Sequence, residues 1–218
     1  SIQTWLDFLV GPQTRVAVLQ NGVEHIERFA ALVPAERIVP AVVDFSAMRL
    51  EPGRFVQNSY GSLTVPAGAN GDAFVALFAG SRIKVSAAAD FRSRAWAKLC
   101  LNCAGAVSTL TQVSPSADWN PALEAIIRAL VEECAAVGRA EGAQVGPEVV
   151  EAVVAGIRRA PAGSSNSMQV DRLAGRPMEI DTRNGVIVRL GRKHGIATPM
   201  NALLVTLLNA SGSPWVSR

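Results

Sequence analysis

Hydrophobic and polar positions alternate in two different ways along the chain, and the change falls near residue 88. In the first part, short apolar runs that are typical of strands are separated by segments with helical spacing. The predicted elements are a helix over 3–10, a strand over 15–20, a helix over 23–33, a strand over 37–45, antiparallel strands within 48–66, a helix over 70–80 and a strand over 82–86. This order predicts a parallel α/β layer with antiparallel strands at its edge.

The second part is predicted to be helical throughout, because apolar residues recur at three- and four-residue spacing between breaks rich in proline, glycine and serine. The predicted helices are 91–112 with a break near Gly105, 121–141, one that opens at Pro147, 168–173, 178–194 and 199–208. Gly195 is expected to end the helix over 178–194. The sequence therefore predicts an α/β fold with domains over 1–88 and 89–218.

The first predicted helix is amphipathic. Its apolar residues Trp5, Phe8 and Leu9 recur at helical spacing, and we expect them to face the protein interior.

The helix over 91–112 carries two polar residues within an otherwise apolar stretch. Lys98 and Asn102 are four residues apart, so they stack on one helix face. One interpretation is a solvated edge on which the lysine stem covers apolar neighbours. The other is a functional site, in which Lys98 donates a proton and Asn102 holds a ligand by hydrogen bonds.

Another candidate follows the first strand. Asn21 comes directly after the apolar run 15–20. Ligands of parallel α/β layers bind at the carboxyl ends of the strands, which makes Asn21 a candidate binding residue. The pair Asn21-Gly22 is also the ordinary sequence of a turn, so both interpretations stay open.

Composition narrows the class of protein. With 218 residues, 49% of them hydrophobic, the chain is long enough for a real core and is not disordered as a whole. The net charge of +3 comes from scattered basic residues without interleaved aromatics, which argues against nucleic-acid binding. No apolar run reaches the length needed to cross a bilayer, so we expect no membrane association.

The three cysteines form no disulfide framework, which favours a reducing, cytoplasmic location. Cys100 and Cys103 are spaced as C-x-x-C but fall in the middle of a predicted helix, so we interpret them as core thiols. Because no second cysteine or histidine pair lies nearby, no metal site is predicted.

Several motifs, taken together in their order and spacing, resemble those of ketopantoate reductases, the NADPH-dependent 2-dehydropantoate 2-reductases of pantothenate synthesis. They are Leu19-Gln-Asn21-Gly22, Trp96-Ala-Lys98-Leu-x-x-Asn102, Ser167-Met168-x-x-Asp171-x-x-x-Gly175-Arg176-x-x-Glu179-Ile-Asp181, Asn184-Gly185, and Gly191-x-Lys193-His194-Gly195-Ile-x-x-Pro199. The resemblance runs from about residue 1 to residue 209. It implies that 1–88 is the remainder of a Rossmann-like NADP-binding domain and that 89–218 is a helical substrate domain, with the active site in the cleft between them.

The resemblance also implies roles for individual residues. Lys98 would be the general acid that protonates the keto oxygen of a 2-oxo acid as NADPH delivers hydride to the carbonyl carbon. The further residues that it implies are Asn102 and Ser167 for the substrate, Asn21 for nicotinamide and substrate, Glu179 near the cofactor and Lys98, and Ala47 on the cofactor side.

Elementary chemistry agrees with these roles. Reduction of a ketone builds negative charge on oxygen, which calls for a cation with a transferable proton, and an arginine would not release one. Plain structural interpretations also exist: Glu179 as an exposed first-turn helix residue and Ser167 as a helix N-cap, which is compatible with ligand binding.

Two departures from the family pattern keep alternatives open. The chain contains no G-x-G-x-x-G turn, which predicts a truncated nucleotide domain and weak NADPH binding. Ala106, Ser116 and Ser164 occupy positions where the family carries further substrate asparagines, so another 2-oxo acid or ketone is a candidate substrate. The alternatives are a related dehydrogenase with another keto substrate, or a non-enzymatic helical module for dimerisation or binding. A homodimer is among the assemblies left open.

Overall fold

The computed structural model describes residues 2–57 and 61–212. The chain divides into two compact units, Ser1–Arg94 and Ala95–Arg218. The first mixes strands and helices and the second is helical, so the predicted α/β class with a helical C-terminal region is confirmed. Among the described residues, every helix is too short or too polar to cross a lipid bilayer.

The first unit alternates short helices and strands. Its elements are α1 (Ile2–Leu9), β1 (Val16–Val18), α2 (His25–Phe29), a 3₁₀ turn (Ala35–Arg37), β2 (Ile38–Pro40), β3 (Val42–Val43), β4 (Ala47–Glu51), β5 (Arg54–Gln57), β6 (Ser62–Pro66), α3 (Ala69–Ala76) and β7 (Lys84–Ala88). The strands β1 and β2 are parallel, as predicted, with Val16 opposite Ile38. The strand β6 pairs antiparallel with β3 and parallel with β7, while β4 and β5 form an antiparallel hairpin.

The prediction for α1 is wrong in one respect. Trp5, Phe8 and Leu9 are 68%, 85% and 66% exposed, and it is Leu6 that packs against the cluster of Val18, Phe29, Val33 and Ile38. An apolar stripe on a short helix shows which residues could be buried, but the element packed beside it decides which of them are. Here Leu6 packs against the cluster, while Trp5, Phe8 and Leu9 stay largely exposed.

The second unit is built from helices around a close-packed core. Its elements are α4 (Phe91–Ala104, which begins in the first unit), α5 (Ala106–Thr111), a 3₁₀ turn (Pro115–Asp118), α6 (Pro121–Ala140), α7 (Pro147–Arg159), α8 (Ser167–Leu173), a π-helical turn (Asp181–Gly185), α9 (Val186–His194) and α10 (Pro199–Gly212). Gly195 ends α9 in the left-handed conformation, as predicted.

Helices α4 and α6 approach each other closely. The indole of Trp96 is 3% exposed, and a Cβ added at Gly138 would lie 2.9 Å from its ring, so any side chain there would force the two helices or the ring to shift. Cys100, Cys103 and Cys134 are free thiols with no exposed surface, which confirms the two residues of the C-x-x-C spacing as core thiols. Burial raises the pKa values of Cys103 and Cys134, so these thiols stay protonated.

The helix predicted over 178–194 is interrupted. The chain forms a π-helical turn over Asp181–Gly185 before α9, and the backbone N–H of Val186 donates to the carbonyl of Asp181, five residues earlier. A π turn inserts an extra residue into the helix and rotates the preceding residues relative to the following ones. Hydrophobic spacing alone does not reveal such an insertion, because the residues on either side keep helical periodicity.

Candidate active site

Helix α4 places Lys98 and Asn102 one turn apart, as the sequence predicted. Both side chains are half-buried, while their neighbours Leu99, Cys100 and Cys103 lie in the core. The helix therefore holds a lysine and a carboxamide at the edge of an apolar interior, where rigid neighbours limit their movement. The catalytic role of Lys98 and the binding role of Asn102 remain predictions.

The predicted break in this helix is confirmed at Gly105. The Gly105 carbonyl accepts hydrogen bonds from Ser108 Oγ (3.1 Å), Thr109 Oγ1 (2.9 Å) and Asn166 Nδ2 (2.9 Å). A Cβ at residue 105 would lie 3.1 Å from that Asn166 nitrogen, so a side chain there would press on the amide. The break thus brings the start of α8 against the junction of α4 and α5.

The N-cap of α8 is Asn166, and the interpretation of Ser167 as the cap is wrong. Asn166 Oδ1 accepts the backbone N–H of Gln169 at 3.0 Å, and Asn166 Nδ2 also donates to Ser108 Oγ at 2.8 Å. Asparagine suits this position because its amide oxygen can cap α8 while its amide nitrogen donates to the α4–α5 junction. Ser167 becomes the first helical residue, with an exposed side chain.

Glu179 is not the exposed helix residue of the plain interpretation. Its side chain is 35% exposed, and its Oε2 accepts a hydrogen bond from Arg183 Nη2 at 3.0 Å. The same Arg183 nitrogen donates to Ser167 Oγ at 2.7 Å. The structure therefore brings Ser167 and Glu179 together through a shared guanidinium.

Sequence reasoning missed Arg183. Its side chain is only 2% exposed, which is unusual for arginine, and it lies in the π-helical turn. The available signal was the spacing of Glu179 and Arg183, which are four apart and oppositely charged, together with the position of Arg183 beside the Asn184-Gly185 motif. That spacing alone is common on solvated helix surfaces and does not distinguish a buried pair.

The Asn184 of that motif has a structural explanation. Asn184 Nδ2 donates to the carbonyl of Cys103 (3.1 Å) and to Asn201 Oδ1 (2.9 Å), and both asparagines are fully buried. Asn201 Nδ2 in turn donates to Glu133 Oε2 at 2.7 Å, and the Glu133 carboxylate accepts the first backbone N–H groups of α10. This network fixes the π-helical turn against α4, α6 and α10.

In the first unit, Asn21 lies in the loop after β1 and is half-buried. Gly22 has a φ of 116°, a conformation that favours glycine and fits the predicted turn. The loop is held by His25, whose Nε2 lies 2.9 Å from the Gln20 carbonyl oxygen. Burial lowers the pKa of His25 in spite of this hydrogen bond, so the ring is neutral at pH 7 and donates through Nε2–H.

Ala47, the least specific of the predicted site residues, begins β4 and is exposed. It stands opposite Gln57 in the β4–β5 hairpin. Its place on the cofactor side remains a prediction.

The positions that depart from the family pattern are also visible. Ala106 is fully buried, so it offers no surface to a ligand. Ser116 Oγ and Ser164 Oγ lie 2.8 Å and 3.3 Å from Ser114 Oγ, so the three hydroxyls form one cluster. Within the part of the chain that the structure describes, no group of three or more histidine, cysteine or acidic side chains could hold a metal ion.

Comparison with known proteins gives concordant matches. Residues 90–211 match the family model "Ketopantoate reductase PanE/ApbA C terminal", and residues 2–70 match "Ketopantoate reductase PanE/ApbA". A 2-dehydropantoate 2-reductase of Caulobacter vibrioides is 54% identical over 208 residues, which are 95% of this chain and 72% of that protein.

Solved structures agree with these matches. The crystal structure of a PanE/ApbA family ketopantoate reductase from Ralstonia eutropha JMP134 is similar with a TM-score of 0.87 at 32% identity, over 96% of this chain and 70% of that one. A ketopantoate reductase from Staphylococcus aureus, described as dimeric, has a TM-score of 0.88 at 23% identity, over 97% of this chain and 72% of that one. At 23% identity the likeness shows the fold alone.

Proposed function

Because the chain belongs to the ketopantoate reductase family, we propose that it takes part in the NADPH-dependent reduction of 2-dehydropantoate, a 2-oxo acid, to the 2-hydroxy acid. The observation that carries this proposal is the 54% identity to the Caulobacter vibrioides reductase along 95% of the chain. The half-buried pair of Lys98 and Asn102 on α4 supports it independently, because a site for ketone reduction needs a proton donor beside a hydrogen-bonding anchor.

Lys98 supplies the proton in this proposal. As the carbonyl carbon is reduced, negative charge develops on its oxygen, and the Lys98 ammonium stabilises that charge before Nζ–H transfers to the oxygen. The Lys98 side chain is half-buried, which limits the positions that its ammonium can reach. Asn102, one turn further along the same face, anchors the substrate through its carboxamide.

Ser167 and Glu179 complete the proposed substrate side. The Ser167 hydroxyl is exposed at the start of α8, where it is accessible to the carboxylate of a 2-oxo acid. Glu179 provides a carboxylate that Arg183 already holds in place on one oxygen. A held carboxylate can orient a neighbouring ammonium without changing its own position, which keeps the acid in one geometry.

The residues of the first unit suit the nicotinamide end of a dinucleotide. Asn21 presents a half-buried carboxamide just beyond the carboxyl end of β1 in the parallel β1–β2 pair, where ligands of α/β folds bind. When bound, the dinucleotide supplies the hydride. Asn21 would hold the nicotinamide amide through its side chain, and the backbone at Ala47 would lie on the cofactor side. The preference for NADPH over NADH is part of the proposal.

A substrate and cofactor panel tests this function. The chain is incubated with 2-dehydropantoate and with other 2-oxo acids, with NADPH or NADH, and loss of the reduced nicotinamide absorbance is followed. Because the chain contains no G-x-G-x-x-G turn, the assay uses NADPH at high concentration to offset the weak binding predicted above. Under these conditions we expect oxidation of NADPH that requires a 2-oxo acid and is fastest with 2-dehydropantoate. Lys98→Met should lower kcat by about 10²–10⁴-fold.

The control for that variant is Lys84→Met, which changes an exposed lysine of β7 in the first unit and should leave kcat unchanged. Full turnover by Lys98→Met would remove Lys98 from the mechanism. The alternative of a non-enzymatic dimerising module would be favoured by a stable dimer that binds neither NADPH nor a 2-oxo acid.

We include a homodimer and a cytoplasmic location in the proposal. The dimeric state described for the Staphylococcus aureus protein and the three free, buried thiols of this chain are consistent with them. Native mass of the purified chain tests the first, and localisation of the tagged protein in cells tests the second.

A further inference from the structure

The guanidinium of Arg183 is a buried charge with two specific partners. Its side chain is 2% exposed, and Nη2 donates to Glu179 Oε2 at 3.0 Å and to Ser167 Oγ at 2.7 Å. A methionine or leucine of similar volume would fill the same space without the cost of removing a charge from water. The buried charge therefore calls for an explanation beyond packing.

One donor of the guanidinium is left without an acceptor. Nε is buried and has no hydrogen-bond acceptor among the described residues. A buried donor without an acceptor costs about 1–3 kcal/mol. The placement of the side chain thus favours the two bonds of Nη2 over full satisfaction of its own donors, which indicates that those two contacts set its position.

The direction of the bond to Ser167 has a chemical consequence. A guanidinium can only donate hydrogen bonds, so Ser167 Oγ is the acceptor in this contact. The hydroxyl proton of Ser167 must then point away from Arg183. Because the Ser167 side chain is exposed, that proton is available to a ligand on the solvent side. A hydroxyl whose oxygen is occupied by a cationic donor favours a partner that accepts, such as a carboxylate oxygen.

We propose that Arg183 is a positioning residue that presets the Ser167 hydroxyl as a hydrogen-bond donor to the substrate carboxylate and fixes Glu179 through the same nitrogen. This inference rests on the proposed function, since it takes Ser167 and Glu179 as parts of the reductase site. Arg183 lies buried within the π-helical turn over Asp181–Gly185, and such turns are frequent at functional sites.

A double-mutant cycle tests the proposal on the whole chain. Arg183→Met, Ser167→Ala and the double variant are compared with the unchanged chain by calorimetric titration with 2-dehydropantoate, which needs no turnover. Arg183→Met alone should weaken binding about tenfold. In the Ser167→Ala background the same change should weaken binding less than about twofold, because the hydroxyl through which Arg183 acts on the substrate carboxylate is gone. The contact of Arg183 with Glu179 orients the Lys98 ammonium in this proposal, so its loss should affect turnover rather than binding. Arg183→Lys, which keeps one donor, should restore part of the affinity.

A merely structural role would give a different pattern. Arg183→Met would then lower Tm and weaken binding by the same factor in both backgrounds, and that additive result overturns the proposal. If Arg183→Met does not fold, the cycle is completed with Arg183→Lys, for which equal losses in both backgrounds are again decisive against it. If the unchanged chain binds 2-dehydropantoate but does not reduce it, the proposed reduction is refuted, and the double-mutant cycle can still be interpreted because it measures binding. Absence of any 2-oxo acid binding would refute the role of Arg183.

Discussion

Lys98, Asn102 and Ser167 of the second unit stand on helices that buried polar side chains hold together. Asn21 of the first unit stands on a loop to which His25 is hydrogen-bonded. Asn166 bonds the start of α8 to the α4–α5 junction, and Asn184 and Asn201 fix the π-helical turn from inside the core. In the first unit, His25 holds the loop through the Gln20 carbonyl, over a small cluster of apolar residues.

The difference matches the roles proposed for these residues, a general acid in the second unit and a cofactor contact in the first. A general acid needs one fixed geometry, and a network of buried hydrogen bonds supplies it at a cost in desolvation. A residue that meets an exchanging cofactor can stand on a loop, where local opening is easier.

The largest effect is expected for the buried network. Asn201→Leu removes the acceptor of Asn184 and a donor to Glu133, and leaves buried polar groups without partners. It should lower the free energy of unfolding by roughly 2–4 kcal/mol. Urea unfolding measures this. Asn209→Leu, on the exposed side of the same helix, is the matched control and should change stability by less than about 0.5 kcal/mol. If both variants lowered the free energy of unfolding by the same small amount, the buried network would not be what stabilises the helical unit.

A smaller effect is expected at the contact of α4 and α6. Alanine at Gly138 gains about 1 kcal/mol of helix propensity but drives its Cβ into the buried ring of Trp96, at a cost of about 1–3 kcal/mol. We expect a net loss of stability of roughly 1 kcal/mol. Gly156→Ala in α7, where a Cβ would contact nothing within 4 Å, should instead raise stability. If both variants shift the urea midpoint in the same direction, the close approach of α4 and α6 does not determine the effect of a side chain at residue 138.

In the first unit, the stability that the hydrogen bond of His25 provides should depend on pH. Since the folded-state pKa of His25 is lowered, the unfolded chain binds the extra proton first, and stability falls as pH is lowered through the ordinary value of about 6.5. An NMR titration of the ring should give a pKa below that value, and urea midpoints at neutral and mildly acid pH should differ. His25→Gln should reduce the difference. A ring that titrates at or above the ordinary histidine value would refute the neutral, donating His25.

The smallest effect is expected from a surface cluster. Glu141 accepts hydrogen bonds from Lys193 and His194, and the Lys193 bond is the main reason that the pKa of Glu141 is lowered. This contribution is present above the ordinary glutamate pKa and is lost as pH falls through the lowered folded value. Glu141→Gln should cost at most about 1 kcal/mol at pH 7 in urea unfolding. If Glu141→Gln lowered the free energy of unfolding as much as Asn201→Leu, surface ion pairs would stabilise the helical unit as much as buried hydrogen bonds do.

Much of the architecture was predictable because it follows from local patterns. The order of helices and strands, the parallel β1–β2 pair, the break at Gly105 and the end of α9 at Gly195 were predicted and are confirmed. Lys98 and Asn102 share one helix face, as four-residue spacing requires. The assignment of roles to these residues depends on family resemblance and stays a prediction.

Other features could not be predicted, because they depend on partners that are distant in sequence. Asn166 rather than Ser167 caps α8 because Gly105, 61 residues away, offers its carbonyl to the same side chain. The exposed stripe of Trp5, Phe8 and Leu9 looks identical in sequence to a buried one.

By itself, the sequence determined which segments form helices and strands and which residue types are available for proton donation and hydrogen bonding. These properties follow from spacing along the chain, which any local stretch carries. Only the tertiary structure decided that Arg183 is buried and joins Ser167 to Glu179, through a nitrogen that lies 2.7 Å from one and 3.0 Å from the other. The physical reason is that the cost of burying a charge depends on the groups that surround it in space, and periodicity along the chain does not contain that information.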